Sequence, residues 1–185
     1  MLVTHLTPEQ LDAGLDHVRR VPSDVGTIEL IVRRPALDAR EELDEGELDL
    51  AVGLVGDTWS QRPASSRHPD SDPHPEAQVT LMNVRVADLV ANDPSRRALA
   101  GDQLYVDFDI SVDNLPTGTQ VQIGSAIVEI TAKPHTGCAK FTKRFGLAAM
   151  RWVNSDVGKS LRLRGVNARV VRPGTVRRGD TVTKL

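Results

Sequence analysis

The alternation of hydrophobic and polar residues along the chain predicts many short strands. Apolar and polar residues alternate over 103–110, and again over 120–124 and 126–131 on either side of Gly124-Ser125. A period of two places one face of each strand in the core, and the glycine indicates a hairpin or a sharp corner. Further strands are predicted at 27–32, near 48–52, and at 79–82, 161–164, 168–171 and 180–182.

Helical spacing is predicted for three segments. Residues 7–10, Thr-Pro-Glu-Gln, supply a capping hydroxyl, a first-turn proline and a glutamine three residues after the threonine, so a helix is expected to begin there. A short helix is predicted at 84–91. Apolar residues recur every three or four positions over 138–153 and predict a third helix, interrupted at Gly146. Many short strands with few helices are typical of a mainly β fold with helices (α+β), organised as a β-barrel.

Two polar segments suggest how the chain is organised. Residues 38–49 contain seven acidic side chains and one arginine, which indicates a solvated connection. Residues 60–76 are rich in Pro, Ser, Asp and His and predict a long surface loop, of the kind that is often functional or disordered. We therefore divide the chain into 1–49, a helix, a strand and an acidic connection that pack on the barrel, and 50–185, the barrel domain.

The composition is that of a globular protein. The chain has 185 residues, of which 39% are hydrophobic and 26% charged, and none of its apolar stretches approaches the ~18 residues that a membrane helix needs. Its first residues do not combine a basic segment with an apolar run, so no signal peptide is predicted. These features predict a cytoplasmic protein that is not associated with a membrane.

The net charge of −2 is distributed unevenly. Residues 1–132 hold 23 acidic and 10 basic side chains, a net charge of −13, whereas residues 133–185 hold 13 basic and 2 acidic ones, a net charge of +11. The basic third either pairs with the acidic remainder in the folded protein or lines a site for an anionic ligand. Nucleic acid is not the predicted ligand, because the basic third has few aromatic residues and none of the recognised base-reading motifs.

The single cysteine, Cys138, lies in the basic third. One thiol cannot form an internal disulfide, so Cys138 acts in packing, in metal ligation or in nucleophilic chemistry. The surrounding cations favour a thiolate over a thiol; they are Lys133, His135, Lys140, Lys143 and Arg144. A zinc site made with His68 and His74 has unsuitable ligand spacing, and a Cys-His hydrolase built from residues three apart at a turn is disfavoured.

Several segments together resemble the MOSC domain family, named for the C-terminal domain of molybdenum cofactor sulfurases. Residues 124–130 and 133–138 resemble the family's strand, proline-basic turn and hallmark cysteine. Asn114-Leu115-Pro116 resembles its Asn-Leu element. The closing strands and Gly-Asp turn are matched by 167–171, 173–176 and 179–180, and a weaker match lies at 53–57, His74 and 78–79. The resemblance covers residues 50–183 and implies a MOSC-type β-barrel.

The resemblance also implies a cofactor and a reaction. It implies that the protein binds molybdenum cofactor (molybdopterin), with Cys138 as the protein ligand of molybdenum, and reduces N-hydroxylated compounds. Whether purified protein retains the cofactor is left open. The expected partner is a separate electron-donor protein or a cofactor-biosynthesis protein, and the protein is expected to be a monomer or homodimer. The alternatives are a non-catalytic carrier of cofactor or sulfur that uses Cys138, and a degenerate interaction module in which Cys138 is only packed.

Candidate site residues follow from the same resemblance. His135 is expected to be catalytic with Cys138, by orienting the cofactor, donating a proton or increasing the thiolate population, since its ordinary pKa is near neutral; otherwise it only caps a turn. The expected cofactor-binding residues are Asn114, Lys133, Thr136, Lys140 and Arg144. For Asn114 a local turn-forming role is the alternative, and for the two lysines simple solvation.

Overall fold

The computed structural model of the protein describes residues 4–65 and 67–185. Its strands are β1 (Val25–Arg33), β2 (Glu41–Leu43), β3 (Glu45–Asp49), β4 (Gly53–Leu54), β5 (Val79–Asn83), β6 (Leu104–Asp107), β7 (Gln120–Ile123), β8 (Ala126–Ile130), β9 (Val166–Arg172), β10 (Gly174–Arg177) and β11 (Thr181–Lys184). The α-helices are α1 (Pro8–Arg19), α2 (Val84–Ala91), α3 (Ala139–Val153) and α4 (Asp156–Ser160). Short 3₁₀ helices cover Thr58–Gln61, Pro75–Ala77 and Pro94–Ala100.

Seven strands close into a barrel, which confirms the predicted fold. Their order is β11-β7-β8-β9-β5-β6-β1, and β1 returns to pair with β11. The β5–β6 pair is parallel and the other pairs of the barrel are antiparallel. Residues 25–33, which the sequence analysis placed in the N-terminal segment, are one of these seven strands. Outside the barrel, β2 extends beside the end of β1, and β10, β3 and β4 form a small second sheet.

The hydrophobic core has two layers. The barrel interior is filled by alternate residues of every barrel strand, such as Val121 in β7, Val128 in β8 and Val182 in β11. The second layer lies where α1, α2 and α3 cover the outer face of β1, β5 and β6, including Leu30 and Tyr105. Full burial of each such apolar side chain contributes roughly 1.5–3 kcal/mol. These two layers fix the strand ends and helix starts that carry the site.

Local sequence signals set most of the element ends as predicted. The Thr7 side chain accepts a hydrogen bond from the Gln10 backbone N–H, and the Gln10 side chain accepts one from the Thr7 N–H, so the predicted capping box is confirmed. Gly124 adopts φ +56° in the predicted β7–β8 hairpin, and Gly146 breaks α3 with φ +88°. Both angles lie in the region that glycine tolerates best.

Two sequence predictions about elements are wrong. Residues 161–164 are not a strand, because Leu161 ends α4 and Arg162 turns the chain with φ +50°. The Arg162 guanidinium donates to the carbonyl oxygens of Ile110 and Leu115, which holds this turn. The acidic stretch 38–49 is not only a connection, because it contains β2 and β3.

The acidic strand β3 has a basic neighbour. It pairs with β10 in an antiparallel register, and Arg177 forms an ion pair with Glu45 while Arg178 forms one with Asp44. These exposed ion pairs add little stability; the buried Leu48 of β3 and Val176 of β10 anchor the small sheet in the core. Within the described ranges, no helix is both long and apolar enough to cross a membrane.

Candidate functional site

The loop between β8 and α3 carries Cys138 and most of the predicted site residues. Cys138 directly precedes the first residue of α3, and its side chain caps no helix N–H and is exposed. Asn154 holds the loop below it: the Gly137 N–H donates to Asn154 Oδ1 at 2.8 Å, and Asn154 Nδ2 donates to the Gly137 carbonyl at 3.1 Å. At the other end, Asn167 Nδ2 donates to the Lys133 carbonyl at 3.0 Å. The loop is therefore pinned while the thiol stays accessible.

Cys138 opens onto a cavity of about 550 Å³ that we call the arginine cavity. Five guanidinium groups and one ammonium group line it with Cys138 and His135; they belong to Arg34, Arg40, Arg62, Arg144, Arg164 and Lys140. Asp38 is the one carboxylate among the lining residues that the structure describes. A concave surface with this excess of cations attracts anions, because its field is focused between low-dielectric walls.

Asp57 fixes Arg34 in the wall of the arginine cavity. Its fully buried carboxylate accepts hydrogen bonds from Arg34 Nε and Nη2, both at 2.7 Å, and from the Arg34 backbone N–H at 3.0 Å. The same carboxylate accepts a hydrogen bond from the Trp59 backbone N–H at 2.9 Å. This bond caps the short helix Thr58–Gln61 that follows Asp57. Burial raises the pKa of Asp57, but Arg34 outweighs this and lowers it overall. The result is a permanently ionised pair.

Asp102 holds two other residues of the cavity. Its fully buried carboxylate accepts from Arg164 Nη1 at 2.6 Å through Oδ2, and its Oδ1 lies 2.8 Å from His135 Nε2. Gly165, with φ +108°, lets this cluster close: a Cβ there would lie 2.5 Å from the Leu81 carbonyl oxygen and 3.2 Å from Asp102 Oδ1. Arg164 also lies over the Phe141 ring, 5.1 Å from its centroid.

The charge states of this cluster follow from burial and the neighbouring arginine. Burial raises the pKa of Asp102, but Arg164 and then His135 lower it to about 2, so the carboxylate is ionised at neutral pH. Burial, and next the Arg164 charge, lower the pKa of His135 below 6.5. His135 is therefore neutral near pH 7 and donates its Nε2–H to Asp102. Contrary to one role considered from the sequence, it adds no positive charge beside Cys138.

His135 keeps one ring nitrogen open. Among the described residues its Nδ1 has no hydrogen-bond partner, and the side chain is 19% exposed. Because the ring proton is on Nε2, in the hydrogen bond to Asp102, Nδ1 carries a lone pair toward solvent-accessible space. An ionised carboxylate that orients a neutral histidine is a common way to set which nitrogen accepts a proton.

The remaining arginines of the cavity are crowded. Burial lowers the pKa of Arg40, and the charges of Arg144 and Arg34 lower it further. Burial and the Arg34 charge likewise lower the pKa of Arg62. Arg40 Nε is buried and has no acceptor among the described residues. Repulsion between these cations falls when an anion binds among them.

The structure brings some of the predicted site residues together and separates others. Cys138, His135, Lys140 and Arg144 all line the arginine cavity. Lys133 and Thr136 line a neighbouring compartment, which shares His135 with that cavity. Asn114 lies elsewhere. Its Nδ2 donates to the carbonyls of Ser23 and Asp109, and its Oδ1 accepts from Lys184, so its amide acts in a turn.

Other residues of the site were not found from the sequence; they are Arg34, Arg40, Arg62, Arg164, Asp57 and Asp102. The only signal for Arg62 was its position in the long loop 60–76.

The charge asymmetry has a partly internal explanation: five basic residues after position 132 form ion pairs with acidic residues before it. Lys133, Lys140 and Lys143 form none with the described residues, so pairing accounts for part of the basic third and the expectation of an anionic ligand stays a prediction.

The barrel and the cysteine at its basic cavity define the class of protein. The model of the MOSC domain family matches residues 74–183, more than half of the chain, and the chain therefore belongs to this family. The match begins later than the resemblance seen in the sequence, which started at residue 50. No curated protein matches the chain in sequence.

Solved structures are similar in fold. The YuaD protein from Bacillus subtilis superposes with a TM-score of 0.64 at 17% identity, over 85% of this chain and 94% of YuaD. YiiM from Escherichia coli gives 0.53 at 18% identity, over 86% and 69%, and YiiM from Geobacillus stearothermophilus gives 0.53 at 11% identity, over 89% and 74%. At these identities the similarity is one of fold.

The residues of the cavity fit the cofactor with which this family is associated. The volume of about 550 Å³ lies within the 300–1,000 Å³ typical of ligand sites. The thiol is a soft donor that suits a sulfur-rich metal centre, and the crowded guanidinium groups suit a phosphate. Within the described ranges, His, Cys, Asp and Glu nowhere cluster in threes as metal ligands. The described lining of the cavity therefore offers the Cys138 thiol as its soft donor.

Proposed function

We propose that the protein binds molybdenum cofactor in the arginine cavity and reduces N-hydroxylated compounds there. The observation that carries the proposal is the exposed Cys138 thiol at a cavity lined by five arginines and Lys140. A packing role for Cys138 predicts a buried sulfur, and the thiol is exposed. A ligand role predicts an accessible thiol beside cationic groups, and the exposed Cys138 beside the arginines and Lys140 supports it.

The arginines would hold the phosphate of the cofactor. Arg144 is positioned by donating to the Leu99 carbonyl at 2.8 Å and to Asp38 at 3.2 Å. Arg34 is positioned by Asp57, and its Nη1 donates to the Gly101 carbonyl at 3.0 Å. Guanidinium groups held in this way bind phosphate with little further loss of side-chain entropy.

When bound, the cofactor would supply the two-electron redox centre. The net reaction adds two electrons and two protons to an N–OH group, which breaks the N–O bond and gives an N–H group and water. A separate electron-donor protein supplies the electrons. His135, with its open Nδ1, would accept a hydrogen bond from the hydroxylated substrate or relay a proton from solvent, since neutral imidazole does both near pH 7.

A carrier of cofactor or sulfur is the second candidate. The observation that favours it is the exposure of Cys138, because a partner protein can reach a thiol at the surface. A carrier shares the binding step and lacks turnover. A cofactor carrier predicts transferable pterin. A sulfur carrier predicts a persulfide on Cys138, formed when its thiolate takes the outer sulfur of a donor protein's persulfide and the donor leaves as a thiolate; it would be seen as a mass increase of one sulfur atom in intact-protein mass spectrometry.

The test is purification from a host that makes the cofactor. We expect molybdenum and pterin in the wild-type protein, a loss of about tenfold or more of both in Cys138→Ser, and reduction of benzamidoxime with dithionite-reduced viologen as electron source. Arg144→Gln is expected to lower the cofactor content, whereas Arg151→Gln, an exposed arginine on the same helix, is the matched control. Wild-type protein without molybdenum or pterin would contradict the proposal. Bound cofactor without turnover would support the carrier instead.

A further inference from the structure

A second compartment adjoins the arginine cavity, and Cys138 is not among its lining residues. Its volume is about 320 Å³, and it shares Arg34, Arg62, Pro63 and His135 with the arginine cavity. The other residues that define its chemistry are Trp59, His74, Lys133 and Asn167. We call it the tryptophan compartment.

Asp57 anchors the backbone of the segment that carries Trp59. The Asp57 carboxylate, which binds Arg34, also accepts a hydrogen bond from the Trp59 backbone N–H. The short helix Thr58–Gln61 is therefore anchored to the buried Arg34–Asp57 pair. Arg62 follows this helix, and its Nη2 donates to Thr58 Oγ1 at 2.6 Å. Trp59 is half-buried, and its indole N–H has no acceptor among the described residues.

Most polar groups of the compartment are donors, and the open Nδ1 of His135 is an acceptor. Lys133 is half-buried, and its ammonium group makes no hydrogen bond or ion pair with the described residues. His74 Nδ1 accepts the Glu76 N–H at 3.2 Å, so its ring hydrogen is on Nε2. None of the described lining residues is Asp or Glu. A compartment of donors without a carboxylate is electrostatically complementary to an anion.

The aromatic residue adds a shape requirement. A tryptophan face stacks on planar rings, which favours an aromatic ligand. The volume is at the lower end of the range for ligand sites and suits one or two rings. The shared wall at His135 places any ligand of this compartment next to the cavity that Cys138 lines.

We propose that the tryptophan compartment binds a planar aromatic anion, namely the ring and carboxylate of an aromatic N-hydroxylated substrate. Its reactive group would extend past His135 into the arginine cavity. Only the identity of this reactive group rests on the proposed function. The binding of an aromatic carboxylate by Trp59, Arg62 and Lys133 stands on the geometry and charge of the compartment.

The experiment uses Trp59 fluorescence. The chain has two tryptophans, so Trp152→Phe leaves Trp59 as the single emitter. We expect a saturable fluorescence change with 4-carboxybenzhydroxamic acid and a weaker one with uncharged benzhydroxamic acid. Lys133→Gln is expected to weaken the carboxylated probe about tenfold and leave the uncharged probe unchanged. Trp59→Leu, made in otherwise wild-type protein, is expected to weaken the binding of both probes. Isothermal titration calorimetry measures this, and it replaces fluorescence for all variants if Trp152→Phe folds poorly.

The controls separate this proposal from the one on the cofactor. Lys143→Gln removes an exposed lysine from α3 and should not change either affinity; if it weakens the carboxylated probe as much as Lys133→Gln does, only net charge matters and the proposal is wrong. Cys138→Ala should bind both probes normally even if it holds no cofactor. No saturable binding by the wild-type protein overturns the proposal. Binding by Cys138→Ala that is absent from cofactor-loaded protein also overturns it, because the compartment then belongs to the cofactor.

Discussion

Asp57 and Asp102 are both fully buried carboxylates that position arginines of the same cavity, and they differ in their second partner. Asp57 binds Arg34 and a backbone N–H. Asp102 binds Arg164 and the ring of His135. An arginine does not lose its proton in a protein and the pKa of Asp57 is lowered, so the charge of the Asp57 cluster is constant near neutral pH. The Asp102 cluster contains a group whose charge changes with pH.

The two clusters share a short backbone support. Arg34 Nη1 donates to the Gly101 carbonyl, and Arg164 Nη2 donates to the Ala100 carbonyl, both at 3.0 Å. The segment before Asp102 thereby fixes the distance between a constant positive wall and a titratable one. The charge of the Arg34 wall and the charge of His135 are thus set by separate carboxylates.

The largest expected effect is the loss of the constant pair. Asp57→Asn leaves Arg34 buried without its counter-charge, which costs about 3–5 kcal/mol of unfolding free energy in comparable pairs. Urea denaturation at pH 7.5 measures it. Asp44→Asn is the matched control, because Asp44 is 98% exposed and lies 3.7 Å from Arg178, so its removal should cost well under ~1 kcal/mol. A loss for Asp57→Asn no larger than for Asp44→Asn would show that the Asp57 cluster is not a structural element.

Individual elements of the barrel could be predicted where local chemistry determines them. The β7–β8 hairpin follows from alternation around one glycine, and the start of α1 follows from a capping box. The alternating Leu-Arg-Leu-Arg stretch at 161–164 predicts a strand, and the structure has a turn there. The arginines of this turn donate hydrogen bonds to backbone carbonyls, so the same alternation arises without a strand. Burial in a turn depends on tertiary contacts that the local pattern does not contain.

The site could be predicted only where its residues are close in sequence. Cys138, His135, Lys140 and Arg144 lie on one loop and the start of one helix, so a single motif contains them. Arg34 directly follows β1 early in the chain, and its role depends on an ion pair with Asp57. Asp102 precedes a different strand and gains its role from His135. Barrel closure brings these segments together, and no spacing rule in one sequence indicates which arginine meets which carboxylate.

The second effect is the pH dependence of the Asp102 cluster. The pKa of Asp102 is about 2 in the folded protein against an ordinary 3.8, which corresponds to about 2 kcal/mol of stability. This stability is present above pH ~4 and is lost as pH falls toward 2. The pKa of His135 is lowered from 6.5, so its neutral form stabilises the fold above that pH and the contribution declines as pH falls below it. Urea denaturation between pH 7.5 and 3 measures both.

Substitution of the histidine separates the two contributions. His135→Gln should remove the decline in unfolding free energy just below pH 6.5 and keep the loss at lower pH. His17→Gln, which changes an exposed histidine on α1, should leave the profile as it is in the wild-type protein. An unchanged decline below pH 6.5 in His135→Gln would mean that another group titrates there, and the contrast between a constant and a titratable cluster would fail.

The smallest effect concerns an asparagine outside both clusters, compared with one that supports the cavity. Asn114 makes three side-chain hydrogen bonds at a turn, so Asn114→Ala should cost about 1–2 kcal/mol of unfolding free energy and leave the molybdenum content unchanged. Asn154→Ala removes a similar number of hydrogen bonds from the loop below Cys138 and should lower the molybdenum content as well. The paired measurement is urea denaturation and metal analysis of the two variants. If Asn114→Ala loses as much molybdenum as Asn154→Ala does, the cofactor site is not confined to the arginine cavity that Asp57 and Asp102 support.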